Sequence, residues 1–279
     1  MMKARKGFTL IELLMVVLIG SVLMSAAFKV MSVQEATNRQ QQAVVAVEQN
    51  LRMALGVLTN DLREASATGG DIINADSVSI RYRVLRKAGV ICTRDYGGSS
   101  SWMIVGTFGQ AFAANDSIAF FVEGPNKSTA LDDSARVGKV TSTQAGTCTG
   151  NPIGNVLRLN VPNGTAANTD TGGLVRSFVD AGYRLVNVGS KASLYRIESP
   201  DSVPIVDSLS TVSNGGLRFR YYDASGTQIT PSTAALRKTI MRIEIKVRAS
   251  MIGGQTGANR TFTDSLKAQI FLRGNTKTS

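Results

Sequence analysis

The sequence predicts an α+β protein in which one long N-terminal helix packs on an antiparallel β-sheet head. Three observations lead to this fold class. An apolar segment near the N-terminus is long enough to cross a bilayer, apolar residues then recur every three or four positions, and short stretches after residue 70 alternate between apolar and polar residues. Because 279 residues can bury a sizeable core, a globular head is expected beyond the helix.

The first segment consists of a short basic leader and an apolar span. Lys3, Arg5 and Lys6 are the only charged residues before the span, and Glu12 is the only ionisable residue of positions 8–28. At about 1.5 Å per residue, a helix over this range is roughly 30 Å long, which matches the hydrocarbon thickness of a bilayer. The positive-inside rule then places the N-terminus in the cytoplasm and predicts export of the remainder.

Two other interpretations of this segment are open. A secretory signal peptide would be cleaved near residues 21–27, although its apolar region is normally shorter than the one found here. A plain signal anchor explains the span but not Glu12, because a carboxylate costs roughly 2.5–3.5 kcal/mol at the centre of a membrane helix and invites a functional explanation.

The residues Lys-Gly-Phe-Thr-Leu-Ile-Glu-Leu-Leu, at positions 6–14, resemble the class III signal of type IV prepilins and pseudopilins. This resemblance implies that a membrane-bound prepilin peptidase cuts after Gly7 and methylates the new N-terminal residue, Phe8. It also implies that Glu12 docks the subunit into a filament by facing the terminal amine of a neighbour. A carboxylate and an ammonium in lipid each lower the cost of the other when they pair, which agrees with this role.

The remainder of the helix is predicted to be amphipathic. Its apolar residues form one stripe, which consists of Val44, Val47, Leu51, Leu55, Leu58 and Leu62. The charged residues predicted to lie off the stripe are Glu48, Arg52, Asp61 and Arg63. Gly69 and Gly70 are predicted to end the helix. The sequence thus divides into a leader (1–7), a transmembrane half of the helix (8–28), an amphipathic half (29–68) and a β-rich head (69–279).

The head is predicted to consist mainly of antiparallel strands. Residues 77–84, 217–221 and 241–248 alternate clearly between apolar and polar side chains, which is typical of half-buried strands. Weaker candidates are 102–107, 117–122, 155–161, 174–180, 182–188 and 192–197. Turn-forming residues separate these segments. An insertion that matches no known pattern is expected at about residues 85–155.

The C-terminal half is similar to the larger PilW-type minor pilins and to the related J-type pseudopilins. The segments that carry this similarity are 193–196, 215–222, 240–247 and 271–275. Major pilins usually have a helix-kinking proline near the distal end of the membrane span, where this chain has Lys29. The resemblance therefore implies a pilin-like fold and favours a minor subunit.

The two cysteines, Cys92 and Cys148, lie in the half of the chain that is expected to be exported, where oxidation is permitted. A disulfide between them would stabilise the head by about 4 kcal/mol in the chain-entropy model. The disulfide would cross-link an insertion whose composition predicts only a small hydrophobic core. A disulfide is therefore the favoured interpretation. Two free thiols are the alternative.

Basic residues alternate along the clearest strand candidates, at Arg81, Arg83, Arg218, Arg220, Arg242, Lys246 and Arg248. Alternate residues of a strand share one face, and aromatic neighbours at Tyr82, Phe219, Tyr221 and Tyr222 would suit a nucleic-acid-binding groove. The favoured interpretation is the solvated face of a half-buried sheet, with Phe219 and Tyr221 inside. Nucleic acid is therefore not expected as a partner.

Composition excludes most catalytic chemistry. The chain has no histidine, which removes Ser-His-Asp triads and imidazole zinc sites, and two cysteines cannot build a four-thiolate site. The formal net charge of +11 is compatible with nucleic acid, an anionic membrane surface or simple solubility, and it does not choose between them. We expect no enzyme, no cofactor and no metal site.

These features predict a minor pilin that helps to initiate or cap a type IV pilus. The expected partners are prepilin peptidase, other major and minor pilins, the inner-membrane assembly platform and inner-membrane lipid. The chain is expected to cross the bacterial inner membrane once, with its N-terminus in the cytoplasm and its head in the periplasm, and then to enter a pilus at the cell surface. Two alternatives stay open: a minor pseudopilin of a type II secretion system, and a DNA-uptake receptor in a competence pilus.

Overall fold

The structure is a computed structural model that describes residues 9–97, 100–122, 134–148, 155–161, 171–198, 201–253 and 260–272. The described residues form two helices, α1 (Leu10–Arg63) and α2 (Ala234–Lys238). They also form the strands β1 (Ile72–Ala75), β2 (Ser79–Gly97), β3 (Ser100–Phe108), β4 (Ser117–Val122), β5 (Ser134–Lys139), β6 (Ser142–Ala145), β7 (Asn155–Val161), β8 (Leu174–Val188), β9 (Lys191–Glu198), β10 (Asp201–Leu209), β11 (Leu217–Tyr222), β12 (Gln228–Ile229), β13 (Arg242–Gly253) and β14 (Arg260–Phe271). The predicted α+β class, one long helix followed by a large antiparallel sheet, is confirmed.

The helix α1 ends at Arg63, five residues before the predicted end at residue 68. The chain leaves the helix early because Ala65 and Ala67 turn into the core, where each is almost fully buried. The Ser66 N–H group then donates a hydrogen bond to the carboxylate of Asp71 at 2.8 Å. Burial raises the pKa of Asp71, although this hydrogen bond and the nearby guanidinium groups oppose the shift.

All strand pairs in the described residues are antiparallel and belong to one sheet. Its main order is β12-β11-β13-β10-β9-β8-β2-β3-β7-β6. Four further pairings lie off this path: β1 pairs with β2, β14 pairs with β13, and β4 pairs with both β8 and β5. The two longest strands in the middle of this order, β2 and β8, pair along most of their lengths. They connect two parts of the sheet with separate cores.

The first part, the helix-packed lobe, comprises the last third of α1, β1, the first half of β2, the second half of β8, β9 to β11, β13 and β14. Its core contains the buried stripe of α1 and the inward side chains of these strands. The second part, the disulfide lobe, comprises the second half of β2, β3 to β7 and the first half of β8. Its core consists of Ile91, Met103, Val105, Phe112, Ile118, Phe120, Val140, Leu159 and Val175. The predicted insertion, residues 85–155, supplies most of this lobe.

The disulfide lobe carries the predicted bridge. Cys92 on β2 and Cys148, three residues after β6, form a disulfide with their Cα atoms 5.6 Å apart. A half-buried ion pair supports the same lobe, because the Lys87 ammonium lies 2.7 Å from the Asp116 carboxylate. The bridge thus joins β2 to the segment beyond β6, and β6 lies at the far edge of the sheet path.

The predicted strands 174–180 and 182–188 are one continuous strand, β8. Gly182, the first residue of the second predicted strand, pairs with Arg81 on one side and with Ile197 on the other. A Cβ atom at this position would come within 2.4 Å of the Ile80 carbonyl oxygen. Glycine is therefore required here by the close approach of β2, and it does not mark a turn.

The strands β1, β5, β6, β10, β12 and β14 were not predicted. Among them, β10 contains Pro204, which has no N–H group for a sheet ladder. Pro204 lies beside a bulge and pairs with Tyr195 of β9, and within the described residues β13 joins β10 at Leu209 alone. The proline is therefore tolerated, because its strand has no second neighbour at that point.

Candidate functional site

The candidate site is the N-terminal part of α1, which begins at Leu10 after Thr9 in extended backbone conformation. The Thr9 carbonyl oxygen accepts hydrogen bonds from the N–H groups of Glu12 and Leu13, at 3.1 and 3.3 Å. Glu12 thus lies in the first turn, where a negative charge interacts favourably with the helix dipole. The first N–H groups of a helix lack intrahelical partners, so this end is polar within an apolar segment.

The exposure of α1 changes abruptly along its length. Every described residue from 9 to 35 is exposed, including large apolar side chains such as Leu10 and Ile11, which are 81% and 71% exposed. Among the described residues, α1 is the one helix that is long and apolar enough to cross a membrane. An apolar surface of this size is unfavourable in water, so lipid or other helices must cover it.

The last third of α1 packs on the sheet. Its buried residues are Ala43, Val47, Leu51, Ala54, Leu55, Leu58 and Leu62, and they lie against β10, β13 and β14. The predicted apolar stripe is confirmed at five of its six positions, whereas Val44 is half-buried and the small residues Ala43 and Ala54 complete the contact. The hydrogen bond from the Asn50 side-chain amide to the Asp207 carbonyl oxygen adds a polar contact to β10.

Asp61 was predicted to lie off the stripe, but it faces the sheet. One of its carboxylate oxygens accepts hydrogen bonds from the Tyr183 hydroxyl at 2.6 Å and the Tyr82 hydroxyl at 3.2 Å. The Arg196 guanidinium lies 3.2 Å from the same oxygen. These contacts fix the end of α1 to β2, β8 and β9, and so set the direction in which the exposed half of the helix leaves the head.

The surroundings of Asp61 raise the pKa of both tyrosines. Burial is the main cause in each case, followed for Tyr82 by the neighbouring Tyr183 and for Tyr183 by its hydrogen bond to Asp61. Both hydroxyls therefore stay protonated and donate to the carboxylate at neutral pH. The sequence holds no local signal for this cluster, because Asp61 and Tyr183 are 122 positions apart.

The predicted processing residues lie outside the described part of the chain. These are the cleavage residues Gly7 and Phe8 and the leader charges Lys3, Arg5 and Lys6. Glu12, the predicted docking residue, is described and lies in the first turn of α1. In the described residues, no group of three or more cysteine, aspartate or glutamate side chains is placed to hold a metal ion.

The alternation predicted for the basic strands is observed on β11. Arg218 and Arg220 are exposed on β11, whereas Phe219 and Tyr221 between them are buried. Tyr82 is also buried, so three of the four aromatic residues considered for nucleic acid face the core. Arg83 belongs to a different surface, where its guanidinium lies 4.8 Å from the centre of the Phe178 ring.

A family model for the prokaryotic N-terminal methylation motif matches residues 2–28. This match supports a type IV pilin-like protein. No curated protein and no solved structure gives a significant match to the chain. The motif implies processing by a prepilin peptidase and assembly with pilin-like partners, and together with the apolar half of α1 it indicates membrane anchoring. The match ends at residue 28, within the exposed part of α1, and it includes no residue of the head.

Proposed function

We propose that this chain is a minor pilin that helps to initiate or cap a type IV pilus after processing by prepilin peptidase. The observation that carries the proposal is the continuity of the methylation motif at residues 2–28 with a helix that is exposed up to residue 35 and packs one face on the sheet from Ala43 onward. Such a helix anchors the subunit in the membrane before assembly. In a filament, the same apolar surface packs against the helices of neighbouring subunits.

The proposed mechanism assigns a separate task to each part of the N-terminus. Lys3, Arg5 and Lys6 hold the leader in the cytoplasm, and the head crosses into the periplasm. Cleavage after Gly7 removes these charges and frees the amine of Phe8. The carboxylate of Glu12 then faces the terminal amine of an adjacent subunit, because each charge would be costly alone in a low-dielectric setting.

The periplasmic placement of the head agrees with its disulfide, since such bonds form and persist in oxidising compartments. A minor subunit is favoured because no proline occurs in the helix or anywhere before Pro125. The proposed partners are other major and minor pilins, the inner-membrane assembly platform and inner-membrane lipid.

A minor pseudopilin of a type II secretion system would share all these features. A deletion strain scored for surface pili, twitching and exoprotein release distinguishes the two functions.

Processing is tested by mass spectrometry of the protein purified from membranes that contain prepilin peptidase. We expect the mature chain to begin with N-methylated Phe8. An intact leader, or a new N-terminus near Ala27, contradicts the proposal.

Docking is tested with Glu12→Val and with Glu35→Val as the matched control. Both variants replace an exposed glutamate of α1 by valine, but Glu35 lies more than six turns further along and pairs with Arg39 at 2.6 Å. We expect Glu12→Val to be inserted and cleaved but lost from complexes with other pilins, whereas Glu35→Val assembles normally. Co-purification of Glu12→Val with partner pilins at the wild-type level rejects the docking role.

A further inference from the structure

The outer face of β11, β13 and β14, opposite the face that packs on α1, forms a basic groove with a volume of about 700 Å³. Its charged lining consists of Arg218, Arg220, Lys246, Arg248, Lys267 and Glu244. The alternation of side chains along each strand places these residues on one face, because the residues between them are buried in the core or half-buried against it. Five basic side chains thus share this groove with one carboxylate.

The charges in the groove are arranged unfavourably for an unliganded sheet. Arg218 is directly opposite Lys246, and Lys246 is directly opposite Lys267, so three cations form one row across three strands. Like charges at directly opposed positions destabilise a sheet. The carboxylate of Glu244 does not relieve this row, because it lies in the next row and pairs with Arg220 at 3.4 Å. An anionic ligand would relieve the repulsion.

Aromatic rings lie at one end of the same face. Tyr222, Arg242 and Phe271 form a row across β11, β13 and β14, two residues beyond the row that contains Glu244. The Arg242 guanidinium stacks on the Tyr222 ring, 4.1 Å from its centre. Phe271 is 70% exposed, which leaves its ring face available. A basic groove beside an exposed aromatic ring is an arrangement that binds single-stranded nucleic acid, through phosphates and stacked bases.

We propose that the basic groove binds single-stranded nucleic acid. The row of Arg218, Lys246 and Lys267 neutralises backbone phosphates, and Phe271 stacks on a base. From Arg248 to Arg242, the face extends about 20 Å along β13 at roughly 3.4 Å per residue, which accommodates a strand of a few nucleotides. The sequence favoured a solvated face, and Lys267 and Phe271, which complete the cation row and supply the exposed ring, lie on β14, a strand that it did not predict. This binding does not depend on the proposed assembly role.

The charge arm of the test uses the full chain in a non-ionic detergent and a fluorescent oligodeoxythymidine. Fluorescence anisotropy is measured over a range of salt concentrations for the wild type and for a variant that combines Arg218→Gln, Lys246→Gln and Lys267→Gln. We expect the variant to bind on the order of tenfold more weakly, with a log–log salt slope reduced by about 2, since each phosphate contact contributes about 0.7 for single strands. Its melting temperature should stay unchanged or rise, because the cation row is removed.

The matched control combines Arg184→Gln, Lys191→Gln and Lys238→Gln, which removes the same number of charges from residues that do not line the groove. We expect this control to bind as the wild type does. Equal loss of binding in both triple variants, or no loss in either, overturns the proposal. Unlabelled poly-glutamate that displaces the oligonucleotide as effectively as unlabelled oligonucleotide, at equal charge concentration, also overturns it and indicates an acidic polypeptide partner.

The aromatic arm uses Phe271→Ala. We expect it to weaken binding of the single strand about fivefold, which is typical of a lost base stack, and to leave the salt slope unchanged. Binding of a duplex should be unaffected. A duplex that binds as tightly as the single strand, together with no effect of Phe271→Ala, overturns the assignment to single strands. These measurements use purified protein, so their failure is distinguishable from a failure of pilin assembly in cells.

Discussion

The two lobes of the head hold their strands together by different means. Among the described residues, twenty-eight buried hydrophobic residues form the core of the helix-packed lobe and nine form the core of the disulfide lobe. The larger core includes one side of α1, whereas the smaller core has no helix packed on it in the described part of the chain. The disulfide between Cys92 and Cys148 lies in the lobe with the smaller core.

This difference shows where covalent and non-covalent stabilisation are each needed. A helix that packs on a sheet removes a large apolar area from water, and the stability follows from burial. A set of strands with a small core gains more from a cross-link, which lowers the entropy of the unfolded chain. The two lobes nevertheless share β2 and β8, so a change in one lobe can reach the other through these strands.

The largest effect is expected from opening the disulfide. Cys92→Ser and Cys148→Ser together should lower the free energy of unfolding by about 4 kcal/mol in the chain-entropy model. Hydrogen exchange should accelerate at β3 and β7 more than at β13, because the cross-link serves the disulfide lobe. Thermal unfolding and exchange mass spectrometry measure the two effects. An unchanged melting temperature, with both thiols open to alkylation in the native wild type, refutes the bridge.

The next effect concerns the helix contact. Leu58 is fully buried in the helix-packed lobe, so Leu58→Ala should lower the free energy of unfolding by about 3 kcal/mol through lost burial and a residual cavity. Leu18→Ala is the matched control, because Leu18 lies on the same helix and is 57% exposed. The control should unfold in non-ionic detergent at the temperature of the wild type. Equal effects of the two substitutions would contradict the division of α1 into an exposed part and a packed part.

A smaller effect is expected at alkaline pH, and it belongs to the helix-packed lobe. Burial raises the pKa of Tyr82, Tyr183 and Tyr221. Above about pH 10 these hydroxyls ionise in the unfolded chain but stay protonated in the folded protein, so stability falls as the pH rises. Each buried tyrosine should contribute up to about 1.4 kcal/mol per pH unit to this fall.

Urea unfolding of the wild type and of Tyr183→Phe between pH 8 and pH 11 measures the contribution of one tyrosine. The variant should lose some stability at every pH, because Asp61 loses a hydrogen-bond donor. Its decline above pH 10 should be shallower than that of the wild type. Parallel declines would mean that Tyr183 does not titrate differently in the folded and unfolded states.

The smallest effect is expected from removing residues 1–34. The described residues of this segment are exposed, and burial on α1 begins at Ala43, so the truncated head keeps all the core contacts of both lobes. It should be soluble without detergent and should melt within a few degrees of the full chain. Aggregation of the truncated head, or a large drop in its melting temperature, would show that the exposed segment supports the fold.

Much of the fold could be predicted from local patterns. The apolar stripe of α1 and the alternation in β11 and β13 both depend on side chains a few positions apart, which one short window of sequence contains. Misjudged positions share a different property. β8 was predicted as two strands and β10 was not predicted, and the roles of Gly182 and Pro204 in these strands depend on which strands lie beside them in the folded sheet.

The candidate site divides in the same way. The sequence by itself determined the basic leader, the apolar span and the position of Glu12 near one end of that span, because hydropathy and charge order are properties of a continuous segment. Only the tertiary structure decided that Asp61 fixes the helix to three strands and that Lys267 and Phe271 join Arg218 on one face. These contacts connect residues tens to more than a hundred positions apart, and their geometry exists only after the sheet has formed.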